Sequence, residues 1–442
     1  MKDYISTGSE IYDFAGKIYP INRSITGEGV RKTLRLINDE LAGSGAPTLS
    51  VKEVPSGTEV FDWTVPKEWS ITEGYIEDEE GKRIVDFRDN FLHILGYSAP
   101  VDEWVDLDEL KKYIYVQEDM PDAIPYVTSY YKERFGFCMS MNLRDSLKPE
   151  KYHMVIKSSL FEGSLTYGEL ILPGKSEKEV LLSTYICHPN MANNEVSGPA
   201  LSTFLIKHIA AMENRKYTYR FVFIPETIGS ITYLSRNLSV MKERTVAGFN
   251  LTCVGDDRDF SIMESRYGDT LADRILTNVL NFNGKYTRYD FTKRGSDERQ
   301  YNAPGVDLPV VGFSRTLYAR YPEYHTSKDD MNLISKEGFA GSFKVMTEVI
   351  DVLENNEKYL VKVLCEPQLG KRGLYPTISK KGSYDAILSQ RDLIAYSDGR
   401  NDLIDISNRI GVPVSELIPI KNKLVANDLL EICEEYNSRN CF

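Results

Sequence analysis

Three short segments place reactive side chains where they could act together. CHP at 187–189 follows the apolar run EVLLSTYI, PET at 225–227 follows YTYRFVFI, and YHT at 324–326 lies in a late polar stretch. The chain has only five histidines, and His188 and His325 are two of them. A single loop histidine is more often hydrogen-bonded or solvated, but an imidazole at a strand end suits zinc. The pair therefore indicates a zinc site, provided that the two rings come within about 8 Å of each other.

Glu226 follows the apolar run FVFIP and precedes a helix-like segment. A carboxylate with an apolar backing has a raised pKa, which suits a general base. The alternative is an acidic residue at a helix N-terminus, stabilised by the helix dipole. Both interpretations fit this residue equally well when it is taken alone.

Segments that resemble strands and helices alternate through the centre of the chain. The pattern runs EVLLSTYICH, SGPALSTFLIKHIAAM, YTYRFVFIPE, TIGSITYLSRNL and TVAGFNLTCVG. It predicts an α/β fold with a mixed, mainly parallel sheet flanked by helices. Because ligands bind beyond the carboxyl ends of strands in such sheets, we expect the reactive segments to lie at one edge.

The length of 442 residues favours two or three domains, and we predict three. Residues 1–50 and 165–365 form the catalytic domain, and residues 51–164 form an inserted β-rich domain with alternating apolar and polar positions. Residues 366–442 contain a linker rich in Gly, Pro, Lys and Ser and a winged-helix-like domain. Within that domain, IGVPVSEL resembles the turn of a helix-turn-helix.

Bulk composition excludes several classes of protein. The net charge of −12 disfavours a chain that neutralises phosphates of nucleic acid. No apolar run approaches the roughly 20 residues of a membrane span, and the acidic start MKDYISTGSE does not resemble a signal peptide. The six cysteines are scattered singly, which disfavours a disulfide framework. We expect a cytoplasmic protein with reduced cysteines and no membrane or nucleic-acid partner.

Five blocks of the sequence occur in the order of a known family. CHPNMANNEVSG, PETIGS, FNLTCVG, GSDERQY and YHTSKDD resemble the metal-site blocks of the zinc aminopeptidase family, of the bacterial leucyl aminopeptidase type. The whole chain looks closer still to an aminopeptidase-like branch associated with polysaccharide biosynthesis. That branch shares PSGTEVFDW, the inserted domain, EPQLGKRGLYPT and the C-terminal winged helix.

The resemblance implies roles for individual residues. It makes His188 and His325 metal ligands and Glu226 the base that deprotonates the attacking water. It gives Asp297 and Asp329 supporting positions around the ligands. We expect two arginines of the segment SRTLYARYPEYH to bind a substrate carboxylate or, equally well, to form surface ion pairs: Arg315 and Arg320.

Three departures from the family reduce the expected metal content. Asn194, Thr227 and Thr252 stand where the resemblance places ligand carboxylates. Two cations a few ångströms apart repel each other, and neutral side chains do not offset that repulsion. We therefore expect one zinc ion, held by His188, His325 and a local acid. Glu195 is the predicted third ligand; Glu226 could serve instead, which would leave the base unassigned.

The leading functional hypothesis is hydrolysis of an amide bond in a small peptide or an N-acylated small molecule, including an acylated sugar. One alternative is a non-catalytic binding protein on a degenerate peptidase scaffold. Another is a ligand-sensing regulator that uses its C-terminal domain on DNA. The candidate recognition segment 412–425 offers only Lys421 and Lys423 as cations, with Glu416 in its first turn, so we favour a packing or homo-oligomerisation role for that domain.

Overall fold

An eight-stranded mixed sheet forms the centre of the chain in the computed structural model, which describes residues 3–130, 132–375 and 385–433. The strands are β1 (Ser50–Pro55), β2 (Glu59–Val60), β3 (Trp63–Thr64), β4 (Glu68–Asp78), β5 (Arg83–Asp86), β6 (Val101–Asp106), β7 (Ile114–Tyr115), β8 (Phe137–Cys138), β9 (Lys151–Phe161), β10 (Ser164–Leu172), β11 (Glu179–Tyr185), β12 (Thr218–Ile224), β13 (Thr245–Leu251), β14 (Ser261–Met263), β15 (Thr287–Tyr289), β16 (Val310–Ser314), β17 (Lys358–Val361), β18 (Asp398–Asp402) and β19 (Leu430–Ile432).

The helices alternate with these strands. They are α1 (Tyr4–Ile18), α2 (Glu28–Gly43), α3 (Leu107–Leu110), α4 (Met141–Asp145), α5 (Ser197–Ala210), α6 (Ile228–Arg244), α7 (Leu271–Asn281), α8 (Glu298–Tyr301), α9 (Lys336–Asn355), α10 (Asp385–Tyr396), α11 (Leu403–Ile410) and α12 (Val414–Ala426). Among the described helices, none combines the length and the apolar character that crossing a membrane requires.

The order of strands in the large sheet is β1-β10-β12-β11-β13-β16-β14-β15. Strand β11 pairs in parallel with β12 and with β13, and β13 pairs in parallel with β16. Strands β1 and β10 extend the sheet in antiparallel fashion. The predicted mixed, mainly parallel sheet is therefore confirmed, and the carboxyl ends of β11, β12 and β13 lie at one edge.

Burial explains why β11 and β12 are central. Every residue of both strands is buried, as expected for a strand covered by helices on both faces. The two charged residues of these strands, Glu179 on β11 and Arg220 on β12, are paired: Nε of Arg220 lies 2.6 Å from an oxygen of Glu179, and its Nη1 lies 2.8 Å from Glu169. Buried charges of this kind are tolerated when they are paired.

A four-stranded antiparallel sheet, in the order β5-β4-β9-β6, follows β1 in the chain. It has its own apolar cluster, which includes Ile76, Phe137 and Met154. The chain divides into two compact units, Met1–Ala272 with Thr287–Lys344 and Asp273–Tyr286 with Val345–Phe442. The boundaries of the three domains predicted from the sequence, residues 1–50 with 165–365, 51–164 and 366–442, remain a prediction.

The second unit contains α10, α11, α12 and the small sheet β18-β17-β19. Gly411 ends α11 with a φ of 67°, a left-handed conformation that glycine adopts readily, and α12 begins three residues later at Val414. This is the tight turn predicted for IGVPVSEL. Residues 376–384 of the predicted linker, and Cys441, lie outside the described residues. No disulfide joins the five cysteines that the structure does describe.

Candidate metal centre

The two predicted imidazoles meet at the sheet edge. His188 follows β11, and His325 lies in the loop between β16 and α9. Their ring centroids are 5.7 Å apart, within the limit of about 8 Å for a shared ion. His325 has a φ of 56°, which is uncommon for a residue with a side chain.

Each nitrogen of the His188 ring faces a different carboxylate. Its Nδ1 lies 2.7 Å from Oε2 of Glu195, and its Nε2 lies 3.6 Å from Oε2 of Glu226. A hydrogen bond from Nδ1 to a carboxylate fixes the tautomer and leaves the Nε2 lone pair available to a cation. The open nitrogen of His188 therefore faces Glu226.

A buried arginine accompanies Glu195. The guanidinium of Arg23 is fully buried, donates from Nε to the carbonyl of His188 at 3.0 Å, and lies 3.5 Å from Oε1 of Glu195. A second donor, Nη1, reaches the carbonyl of Ile18 at 2.8 Å. Burial raises the pKa of Glu195, and the positive charge of Arg23 beside it opposes that rise. The Nδ1 side of His188 thus already contains a fixed cation.

Glu226 is held at the strand tip by backbone contacts. Its amide donates to the sulfur of Cys187 at 3.2 Å, and the next amide, of Thr227, donates to Asp297 at 2.8 Å. Asp297 also accepts from the hydroxyl of Ser230 at 2.7 Å. Burial raises the pKa of Glu226, and the neighbouring charge of Asp297 raises it further. About a quarter of the Glu226 side chain is exposed, so substrate and water can reach it.

Both imidazoles are neutral at physiological pH. Burial, assisted by the charge of Arg23, lowers the pKa of His188 to about 3. Burial, assisted by His188, lowers the pKa of His325 to about 3. Neutral imidazole is the form that binds metals.

Neutral imidazoles and a carboxylate suit zinc, and the ring of His325 and the carboxylate of Glu226 both lie near the His188 ring. The ligand atoms of His188, His325 and Glu226 do not all lie within 4.8 Å of one another; among the described residues, the group that meets this spacing is Cys187, His188 and Glu195. That group suits a cation less well, because Arg23 repels a dication there and burial raises the pKa of Cys187 strongly.

Ligand carboxylates were expected at three positions, and two of these, Asn194 and Thr252, are linked by hydrogen bonds between uncharged side chains. The side-chain amide of Asn194 donates to the hydroxyl of Tyr185 at 2.9 Å, and Tyr185 contacts the hydroxyl of Thr252. At the third position, the hydroxyl of Thr227 accepts from Nη2 of Arg299 at 2.5 Å. None of these side chains supplies the negative charge that a second zinc ion needs.

Asp329 connects the loop of His325 to the segment of Glu195. Its two oxygens accept from the amides of Asn193 and Asn194 at 2.6 and 3.0 Å, within one turn of π-helix, Ala192–Val196. The hydroxyl of Tyr321 donates to Asp329 at 2.9 Å. Asp329 therefore holds the backbone of Asn193 and Asn194, next to Glu195, in place.

The structure does not bring the two expected substrate-binding arginines to the histidines. The guanidinium of Arg315 packs over the Phe260 ring at 4.0 Å, in space left by Gly341, where a Cβ would lie 2.4 Å from Nη1. Arg320 lies over the ring of Tyr289 at 5.7 Å. Arg299, two residues after Asp297, is the arginine that reaches the tip of β12, and the sequence analysis missed it.

Tyr126 is a second residue that the sequence analysis missed. Its ring meets His188 and His325 edge-on, with centroids 5.2 and 5.0 Å away. Its amide donates to the carbonyl of His325 at 2.9 Å, and its hydroxyl lies 2.6 Å from that of Tyr130. The only signal was the aromatic-rich segment PYVTSYY.

Comparisons with known proteins agree with this fold. A Clostridium acetobutylicum protein, whose name assigns it to polysaccharide biosynthesis and gives it an aminopeptidase-like domain, is 44% identical over 96% of this chain and 97% of its own. A solved structure of a peptidase from the same organism is 43% identical, covers 98% of both chains and has a TM-score of 0.91. The zinc aminopeptidase of Bacillus subtilis is 14% identical, with a TM-score of 0.56 over 80% of this chain and 94% of that one.

Two family models match successive parts of the chain. A winged helix-turn-helix model matches residues 357–432, which confirms the predicted C-terminal winged helix. The other model matches residues 12–356, most of the chain. The chain therefore belongs to the family described as a domain of unknown function (DUF4910), and its fold is that of the zinc aminopeptidases.

Proposed function

We propose that the protein is a zinc-dependent hydrolase of an amide bond. The observation that supports this proposal is that two neutral imidazoles, His188 and His325, lie near each other and near Glu226 at the carboxyl edge of the sheet. The imidazole centroids are 5.7 Å apart, and Glu226 lies 3.6 Å from the open nitrogen of His188.

In this proposal His188, through Nε2, and His325 hold one zinc ion. A zinc ion bound there supplies Lewis-acid polarisation of a substrate carbonyl and lowers the pKa of a bound water. Glu226 accepts a proton from the attacking water and delivers it to the leaving amine. Its raised pKa and partial exposure suit that task.

Glu195 has a different part from the ligand role expected from the sequence. Because its Oε2 is engaged with Nδ1 of His188 and Arg23 lies beside its Oε1, we assign it to orienting the ring. Asp297 and Asp329 hold the backbone segments of Glu226 and Glu195, respectively. With two imidazoles as its protein ligands, the site would bind zinc more weakly than a three-ligand site.

The substrate we propose is a small peptide or an N-acylated small molecule. The name of the Clostridium relative connects that protein with polysaccharide biosynthesis, which brings acylated amino sugars into this class. A cytoplasmic location and a single ion remain parts of the proposal.

Zinc content and turnover of variants test the assignment. We expect zinc-reconstituted wild type to hold about one ion per chain, and His188→Ala and His325→Ala to lose it, with His153→Ala as a control that keeps it. Glu226→Gln should keep the ion and lose about 10²- to 10⁴-fold in turnover of aminoacyl amides or N-acetylated amino sugars. Loss of zinc from Glu226→Gln would make that residue a ligand; a wild type without zinc would end the proposal.

The second candidate is a ligand-binding protein without catalysis. The neutral side chains of Asn194, Thr227 and Thr252 favour it, because they remove the charge that supports a two-ion site. This candidate would be favoured if wild type and Glu226→Gln bind an amide with equal affinity and both release it unchanged.

A further inference from the structure

Arg299 lies at the same strand tip as the proposed base. It belongs to α8, and its Nη2 donates to the hydroxyl of Thr227 at 2.5 Å. Thr227 directly follows Glu226 in the chain. The guanidinium is therefore held one residue away from the carboxylate that faces His188.

The backbone that carries Arg299 is firmly anchored. Glu298 is fully buried, and its Oε1 accepts from the amides of Gly295 and Ser296, both at 3.0 Å, and from the hydroxyl of Tyr318 at 2.6 Å. Its Oε2 accepts from Asn250 at 3.0 Å. The backbone at Arg299 is thus fixed by a buried polar network, and the contact with Thr227 positions the guanidinium.

The guanidinium of Arg299 has donors that the described protein does not satisfy. Its Nε is buried without a hydrogen-bond partner, and no described carboxylate lies within ion-pair distance of it. By contrast, Arg23, Arg31 and Arg220 each have a carboxylate partner. A buried donor without an acceptor is costly, so an acceptor from outside the chain would stabilise this arrangement.

Arg299 also acts electrostatically on the residues around the proposed metal. Its charge opposes the burial-driven rise in the pKa of Glu226, and it opposes the rise in the pKa of Tyr324. The ring of Tyr324 stacks on His325 with centroids 3.9 Å apart. The geometric contact that supports this is the hydrogen bond of Arg299 to Thr227, the residue that follows the proposed base.

We propose that Arg299 binds an oxyanion of the substrate, a carboxylate or a phosphate, next to the scissile amide. A guanidinium binds such groups through paired, charge-assisted hydrogen bonds. The inference rests on the proposed hydrolase function and deepens it, because it narrows the substrate to amides that carry an anionic group, such as N-acyl amino acids. It gives Arg299 the part that the sequence suggested for Arg315.

Calorimetric titration tests the anion site without relying on turnover. The probes are N-acetylglycine, its neutral counterpart N-acetylglycinamide, and inorganic phosphate. Each is titrated into zinc-free and zinc-reconstituted full-length protein, because zinc itself can bind a carboxylate. The variants are Arg299→Gln and Arg299→Lys, with the exposed Arg294→Gln as the matched control.

Wild type and Arg294→Gln should bind N-acetylglycine about tenfold more tightly than N-acetylglycinamide, with or without zinc. Arg299→Gln should remove the preference, and Arg299→Lys should keep part of it, which shows that the fold survives and that charge is what matters. Binding of phosphate alone, lost in Arg299→Gln, assigns the site to phosphate esters. No anion preference in wild type, or a preference that Arg299→Gln leaves intact, overturns the inference. If wild type prefers the anionic probe but hydrolyses no amide, the anion site at Arg299 is retained and only the hydrolase proposal is rejected.

Discussion

Arg23 and Glu195 form an ion pair closed to solvent, and the same carboxylate contacts the imidazole of His188. Removing one member of a buried pair is costly because the remaining charge is left without compensation. The pair also determines which nitrogen of His188 is open. Stability and metal binding are therefore coupled at these three residues.

Arg23→Met should lower the free energy of unfolding by about 3–5 kcal/mol, because it leaves Glu195 buried without its partner. The double variant Arg23→Met, Glu195→Gln should recover part of that loss. Urea unfolding followed by circular dichroism measures both. Arg35→Met, which removes the exposed pair with Glu28, is the control and should cost less than about 1 kcal/mol. If Arg23→Met and Arg35→Met lower the free energy of unfolding equally, the buried pair of Arg23 and Glu195 is not tightly coupled.

His188 and His325 should each contribute acid sensitivity to the stability of the zinc-free protein. In the unfolded chain they take up protons near pH 6.5, but in the folded chain their pKa values are about 3. Between these values each histidine binds its proton in the unfolded state but not in the folded state, so each contributes a fall in the free energy of unfolding as the pH falls, by up to about 1.4 kcal/mol per pH unit. The raised pKa values of Glu195 and Glu226 contribute in the opposite direction, so the histidine contribution is the difference in slope between wild type and a histidine variant. Urea unfolding at several pH values measures the slope.

His325→Gln should reduce this slope. His153 is a control of opposite sign: burial alone would lower its pKa, but Glu77 and Asp102 raise it above the ordinary value. Its stabilising contribution is present at low pH and is lost as the pH rises, so His153→Gln should leave the acid sensitivity intact or increase it. A steeper slope in His325→Gln than in wild type would contradict the expected neutral imidazole.

At the scale of elements, the segment between β7 and β8 contacts the loop of His325 directly. Pro125 and Thr326 form an isolated antiparallel bridge, and the amide of Ser327 donates to the carbonyl of Ile124 at 2.8 Å. Tyr126 lies between these contacts, against both imidazoles. The loop of His325 is therefore supported by a segment of the predicted insertion.

Tyr126→Ala should lower the free energy of unfolding by about 1–3 kcal/mol, because the ring is only partly buried. It should also lower zinc affinity, because the His325 loop loses its packing. Tyr126→Phe keeps the ring and should retain zinc affinity within about twofold, since it loses only the hydroxyl contact with Tyr130. Competition with a chromophoric chelator measures zinc affinity. Unchanged affinity in Tyr126→Ala would show that the loop holds its shape without the insertion.

At the scale of the whole molecule, charge argues against a DNA-binding role for the winged helix. The chain carries a net charge of −12. Lys421, one of two cations in the candidate recognition segment, is buried and donates to Asn355 at 3.1 Å. A lysine held in this way cannot neutralise a phosphate.

We therefore expect the full-length protein to show no binding to a random-sequence DNA duplex at low salt, where non-specific electrostatic binding is strongest. Fluorescence anisotropy of a labelled duplex measures this, and a basic DNA-binding protein is the positive control. Salt-sensitive binding that Lys423→Glu abolishes would revive the ligand-sensing regulator.

The sequence determined the type and order of the elements, since apolar runs and helical periodicity are local properties that survive in most folds. It also placed Glu226 and His188 at strand ends, because each directly follows a buried strand. The partners of those residues were decided by the tertiary structure. Arg23 is 165 positions from His188, and the His325 loop depends on a left-handed turn and on packing against Tyr126. Arg315 and Arg299 are both arginines beside motif residues, and only the path of the chain after β15 determines that Arg299 is the one that contacts Thr227 at the tip of β12. Contacts between distant segments depend on how loops cross the sheet edge, and no short stretch of sequence encodes that geometry.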